Sequence, residues 1–276
     1  MLKLPQIGEK IETKEYILAY IDVLGTKEKI NSKSNNEYLN TIKNIYEFTK
    51  LLCENDIMPK SEIFPKMHYK IFSDNIIIAV EAPKEKGYYY PIVGNLVGFV
   101  SIYQARALYH GILTRGAITV GELYLDDLFI YGKALVEAVE LEENISFYPR
   151  VILSDTIKKF YNIKDGELLS TDTDNQVFIN YYTMLTDTIG NRITDKEVSV
   201  IKNFLITEYA KNSENKKVQQ KIDWLIQYHN SYVSKLIGTW GITEDCLIQP
   251  VNIINEKITV RRNSGSEKYA NKQVHK

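Results

Sequence analysis

The stretch Ile17-Leu18-Ala19-Tyr20-Ile21-Asp22-Val23-Leu24-Gly25 decides how this chain is read. Residues 16–24 are mostly apolar and rich in Ile, Val and Tyr, the pattern of a buried strand ended by Gly25. Asp22 stands where that strand is finishing. An ionised carboxylate in apolar surroundings is costly unless something pairs with it, and a divalent cation is a natural partner. A cap on the following turn or helix is the plain alternative. Further on, Met67-His68-Tyr69-Lys70-Ile71-Phe72 and Ile76-Ile77-Ile78-Ala79-Val80 flank the polar triplet Ser73-Asp74-Asn75. Two β-rich runs around a short polar segment predict a hairpin. It carries a second acid, Asp74, at its turn, although Asp is common in turns for purely local reasons.

Between these stretches, Leu39, Ile42, Ile45, Tyr46, Thr49 and Leu52 recur at helical spacing, which predicts an amphipathic helix from about 35 to 55, ended by Asn55 and Pro59. Residues 92–112 predict a buried helix, and 113–121 a strand ending at Gly121. A further strand is expected from Leu123 to Tyr131, with Asp126 and Asp127 themselves reading most easily as a turn. A helix then opens after Gly132 and ends among Glu140, Glu142 and Glu143, acids that oppose the helix dipole. Val151–Leu153 reads as a short strand, Ser154-Asp155 as the cap of a short helix, and 176–182 as another strand. From about 194 the pattern becomes helical: Thr194 and Glu197 have capping-box spacing, and helices are expected over 195–211 and 214–236.

The expected fold is therefore α+β, a ferredoxin-like β-α-β-β-α-β sandwich with an added C-terminal helical hairpin. The division expected is a main α+β domain over 15–185, a helical extension over 190–260 and a disordered polar tail over 262–276. A net charge of -1 gives no bulk reason to expect a nucleic-acid partner. Two distant cysteines, Cys53 and Cys246, make no disulfide framework and suit a reducing cytoplasm. No signal-peptide core and no apolar run long enough for a membrane span is present. The four histidines have no metal-ligand spacing.

In such a sandwich the first strand and the hairpin lie side by side, which would bring Asp22 and Asp74 together at one edge of the sheet. Two adjacent carboxylates need compensation, and a pair of Mg²⁺ or Mn²⁺ ions could supply it while clamping a nucleoside triphosphate. At this point the ordered motifs resemble the class III nucleotidyl cyclase catalytic domain. Asp22-Val23-Leu24-Gly25 matches its first-strand motif, Lys70-Ile71-Phe72-Ser73-Asp74 its hairpin motif, and Arg115-Gly116-Ala117-Ile118-Thr119-Val120-Gly121 the strand that follows. Gly132 and Glu142 match a glycine that opens a helix and a glutamate that ends it. The resemblance covers about residues 15–160. Its compact form is similar to the bacterial Pycsar pyrimidine cyclases, which make cyclic CMP or cyclic UMP in anti-phage signalling.

The resemblance implies roles. Asp22 and Asp74 would hold two metal ions with the Val23 carbonyl as a further ligand. Backbone amides of Leu24, Gly25 and Thr26 would cradle phosphates, Arg115 would contact the terminal phosphates, and Lys70 would read the base. The active site would lie between two copies in a homodimer. There are departures. Ser73 and Ala117 replace glycines, Thr26 replaces an aromatic residue, Phe129 replaces a base-reading acid, and Val136 and Glu140 stand where Asn and Arg are expected. Three readings follow: a nucleotidyl cyclase with a preference for a pyrimidine triphosphate, a degenerate cyclase-fold nucleotide sensor, and a polymerase-like or dinucleotide-forming domain. Arg115 paired structurally with Glu122 or Glu142 is the bland alternative for that residue.

Overall fold

The structure, a computed structural model, describes residues 12–31, 34–52, 66–84, 89–160, 168–185 and 193–249. The expected helix stop at Asn55 and Pro59, Cys53 and the polar tail over 262–276 lie outside the described residues. Among the described residues no helix is long and apolar enough to cross a membrane.

The chain is α+β. Its first unit takes the described residues up to 101 together with 114–180. In order, the elements of that unit and its continuation are β1 (Lys14–Val23), α1 (Thr26–Ile30), α2 (Asn35–Leu52), β2 (Met67–Phe72), β3 (Asn75–Glu81), α3 (Tyr89–Tyr109), β4 (Thr114–Leu125), β5 (Ile130–Tyr131), α4 (Lys133–Asn144), β6 (Val151–Leu153), α5 (Asp155–Phe160), β7 (Leu169–Thr171) and β8 (Val177–Ile179). The eight strands form one sheet in the order β2-β3-β1-β4-β6-β8-β7, with β5 paired to β4. Every pairing is antiparallel except that of β4 with β6. The first four strands of that order reproduce the β-α-β-β-α-β arrangement, which puts β1 between β3 and β4.

Alternation along β1 sends its side chains to two faces. On one face Tyr69 of β2 packs against Tyr46 of α2 at 5.9 Å between ring centroids and Phe99 of α3 at 5.5 Å. On the other, Tyr16, Leu18, Tyr20, Ile77 and Ala79 form a core with Leu123 and with Ala134 and Ala138 of α4. The predicted face of α2 is only partly used: Ile45 and Thr49 are buried, whereas Leu39 is exposed.

Three expectations are corrected here. β4 does not stop at Gly121 but runs unbroken to Leu125, and the strand expected over 123–131 is split by a turn. The cause of the split is Asp126, whose Oδ1 accepts from the backbone N–H groups of Leu128 and Phe129, both at 2.7 Å. That local bond reverses the chain and lets β5 return along β4. The segment 176–182 is likewise divided, into β8 and a 3₁₀ turn over Tyr181–Met184. The sequence reading also missed β7, where Arg150 is decisive. Its fully buried guanidinium pairs with Asp172 and Asp174, both in the loop between β7 and β8, and lies over the rings of Tyr148 and Phe178.

The second unit takes residues 102–113 and those from 181 onward. It contains α6 (Asp195–Lys211) and α7 (Lys216–Val233), shorter at both ends than the expected 214–236. Thr194 and Glu197 close a capping box, with Thr194 N–H donating to Glu197 Oε2 at 2.9 Å. α7 buries Ile222, Leu225, Ile226, His229 and Val233. His229 is held at both ring nitrogens, by the Tyr182 hydroxyl at 3.1 Å and the Cys246 carbonyl at 3.0 Å.

Candidate active site

The register of the sheet assembles the candidate residues. Asp22 at the end of β1 lies opposite Asn75 of β3 and opposite Arg115 of β4. Because pairing partners share a face, Asp22, Asn75 and Arg115 all belong to the face covered by α4. Tyr20, two residues before Asp22, belongs to it as well, as does Lys70 of β2, which pairs with Ile77.

The β2–β3 loop has two residues, Ser73 and Asp74, between the paired Phe72 and Asn75. Ser73 adopts φ +54°, a left-handed conformation that glycine normally supplies in such loops. That is the position where the resemblance expects glycine. The loop is tied to β1 because Val23 N–H donates to the Asp74 carbonyl at 3.1 Å. Asp74 is thereby set beside the last turn of β1. Gly25, at φ +81°, then turns the chain into α1. Thr26 is buried and donates from its hydroxyl to the Val23 carbonyl at 2.9 Å. An aromatic ring at this position could not make that bond.

Arg115 is the cation of the site. Its Nε lies 2.5 Å from Oε1 of Glu142 and 3.4 Å from Oδ2 of Asp22. Both ion pairs use Nε. Glu142, at the end of α4, is buried, so the acid set against the helix dipole is balanced by Arg115 rather than by solvent. Of the two bland partners for Arg115, Glu122 is excluded, because it pairs with Lys133 at 2.8 Å. Arg115 itself approaches β1 because Gly116 has no side chain. A Cβ there would lie 2.0 Å from the Tyr20 carbonyl oxygen.

Electrostatically, the acids dominate. Burial, and then the carboxylates of Glu142, Asp22, Asp74 and Glu143, push the Tyr20 hydroxyl up to about 12. The Tyr38 hydroxyl on α2 is raised too, first by burial and further by Asp74 and Asp22, against a lowering bond from Thr26. Tyr20, Tyr38 and Asn75 were not singled out in the sequence. Tyr20 and Asn75 directly neighbour the two acid motifs, but nothing local marks a strand tyrosine as facing a charged edge. Tyr38 reaches the site only because α2 folds back beside the turn after β1.

Lys70 donates from Nζ to the Asp127 carbonyl in the β4–β5 turn. Val136 and Glu140, on α4, are exposed, as is Phe129 in the turn before β5. Among the described residues no group of three or more His, Cys, Asp and Glu side chains forms a metal cage. The available donors are two carboxylates, of Asp22 and Asp74, and the Val23 carbonyl. These are hard oxygen ligands, the type that suits Mg²⁺ or Mn²⁺. The Val23 carbonyl keeps a second lone pair beyond the Thr26 bond. The donor chemistry therefore fits such an ion, and the excess of carboxylates over the single guanidinium would favour it.

No protein-family model matches this chain, and no curated protein matches it. Among solved structures it is similar to the monomeric guanylyl cyclase domain of the RhoGC fusion protein from the aquatic fungus Blastocladiella emersonii, at 10% identity and TM-score 0.44, over 60% of this chain and 95% of that one. It is also similar to the catalytic core of a rhodopsin-guanylyl cyclase with converted specificity in complex with ATPalphaS, at 13% identity and TM-score 0.42, over 60% and 94%. A third is an adenylate/guanylate cyclase/hydrolase from Silicibacter pomeroyi, at 14% identity and TM-score 0.40, over 61% and 95%. Scores this low leave the fold to be read from the chain's own strand order.

Proposed function

We propose that the chain is a nucleotidyl cyclase that converts a nucleoside triphosphate, with a pyrimidine base preferred, to a 3′,5′-cyclic nucleotide and pyrophosphate. The single observation that carries this reading is the juxtaposition of Asp22, Asp74 and Arg115 at one edge of the sheet, with Lys70 on the same face. Asp22, Asp74 and the Val23 carbonyl would hold Mg²⁺ or Mn²⁺, which when bound polarises phosphate oxygens and stabilises the attacking and leaving oxygens. Arg115 would offer its planar fork to the terminal phosphates, a contact that suits a group always charged and rigid. The turn over Leu24, Gly25 and Thr26 would supply backbone N–H groups to the phosphates, and Lys70 would contact the base. In the reaction the ribose 3′-hydroxyl releases its proton to solvent, and its oxygen bonds to the α-phosphorus as the bond to the pyrophosphate oxygen breaks. Most of the rate enhancement would come from positioning and preorganised charge.

A homodimer is part of this reading. It is supported by the exposure of Leu128 (86%), Phe129 (64%), Tyr131 (76%) and Val136 (57%), large apolar side chains around the site face. The pyrimidine preference and a role in anti-phage signalling rest on the sequence resemblance, and a cytoplasmic location on the two distant cysteines. The test is to incubate the pure protein with ATP, GTP, CTP and UTP in turn, with Mn²⁺, and to weigh the products by mass spectrometry. A cyclic mononucleotide that disappears in Asp22→Asn supports the reading. No product from any triphosphate, or a dinucleotide, rejects it.

The exposed Val136 and Glu140 favour a second reading, a nucleotide sensor without turnover. Thermal stabilisation by a triphosphate in the absence of product would distinguish it.

A further inference from the structure

We propose that Tyr20 and Asn75 form a relay that positions Asp74 for a divalent cation, so that both are positioning residues of the site. The proposal rests on the reading of Asp22 and Asp74 as cation ligands and goes beyond it.

The Tyr20 hydroxyl donates to Asn75 Oδ1 at 2.5 Å, and Asn75 Nδ2 donates to Asp74 Oδ1 at 3.3 Å. The direction of the chain is set by charge. A carboxylate accepts and cannot donate, so the Asn75 amide must turn its NH₂ to Asp74 and its carbonyl to the phenol. Tyr20 must then be the donor. Its ring is fixed between strands β1 and β3 and under Ala134 and Ala138 of α4. Tyr20 is thus a rigid anchor, whereas Asp74 sits in a two-residue loop whose other member, Ser73, is exposed. Asn75 also lies opposite Asp22 in the register, between the two acids. With Oδ1 of Asp74 engaged by the amide, Oδ2 is the oxygen that this arrangement would leave for a cation. Partners of this kind orient a ligating carboxylate, and their loss lowers metal affinity by about 10- to 100-fold.

The test is a titration with Mn²⁺, with and without inorganic triphosphate, read from the electron paramagnetic resonance signal of free Mn²⁺. The proteins are wild type, Tyr20→Phe, Asn75→Ala, the double variant, and Asp74→Asn as the ligand control. Circular dichroism and thermal unfolding confirm that each is folded. The expected result is a loss of Mn²⁺ affinity of about tenfold in Asn75→Ala and a smaller loss in Tyr20→Phe. The double variant should be no weaker than Asn75→Ala, because the two residues act in series. Wild-type affinity in both single variants, or losses that add in the double variant, would overturn the relay while leaving the cation reading intact. No Mn²⁺ binding by wild type under either condition would overturn the cation reading and the relay with it.

Discussion

The guanidinium of Arg115 is pinned through Nε to the buried Glu142 at 2.5 Å, across the gap between β4 and the end of α4. The pair joins the helix to the strand that faces Asp22, so α4 is fixed by charge at its C-terminal end and by Ala134 and Ala138 nearer its start.

Removing one member of a mostly buried ion pair strands the other. Glu142→Ala is therefore expected to destabilise the protein by roughly 2–3 kcal/mol, less than a fully buried pair because Arg115 keeps Asp22 and some solvent. Glu142→Gln keeps the side-chain volume and should lose clearly less. Urea unfolding of the two variants checks this. Equal stabilities would show that the contact contributes little.

Gly116 is the position least tolerant of a side chain. The Cβ of alanine would meet the Tyr20 carbonyl at 2.0 Å and the Ile21 Cα at 3.0 Å, both backbone atoms that cannot step aside. Gly116→Ala should cost at least about 3 kcal/mol or prevent folding. A urea midpoint close to wild type would refute the close approach of β4 to β1.

Ser73 holds a left-handed φ of +54° at an exposed loop position. Ser73→Gly relieves that strain at the expense of unfolded-chain entropy, for a net gain of about 0.5–1 kcal/mol. A raised thermal midpoint is the expected observation, and a lowered one contradicts it.

His229 makes stability depend on pH. Burial, and further the charge of Lys202, lower it to about 4 against the supporting Cys246 carbonyl, whereas an exposed histidine titrates near 6.5. Between those values the unfolded chain binds the extra proton. The contribution is thus complete above about pH 6.5 and is lost as pH falls toward 4, by up to roughly 3 kcal/mol. Unfolding measured from pH 7.5 to 5 should show a steeper loss in wild type than in His229→Asn. Parallel curves would show that the imidazole is not held neutral.

Much of the fold is legible in the chain because it is written in local periodicity. The apolar runs of β1 and β3 bury what their spacing predicts. The capping box at Thr194 is equally local. The reading failed where a contact between distant residues overrides a local signal. Gly121 looks like the end of a strand, yet β4 continues through it, because Gly121 pairs with Tyr16 in the ladder with β1. Leu39 fits the helical stripe of α2 but is exposed. β7 carries only a weak strand pattern, and the loop that follows it is held by Arg150, which pairs with Asp172 and Asp174 there.

The site divides in the same way. The order of Asp22, Asp74 and Arg115 along the chain, and the strand or turn that each occupies, are determined by the sequence, since hydrophobic runs and turn residues act over a few positions. The choice of Glu142 over Glu122 as the partner of Arg115, and the addition of Tyr20, Tyr38 and Asn75 to the acid pair, are decided only by tertiary structure. Strand register and helix packing set which side chains face one another, and those depend on contacts between elements far apart in the chain.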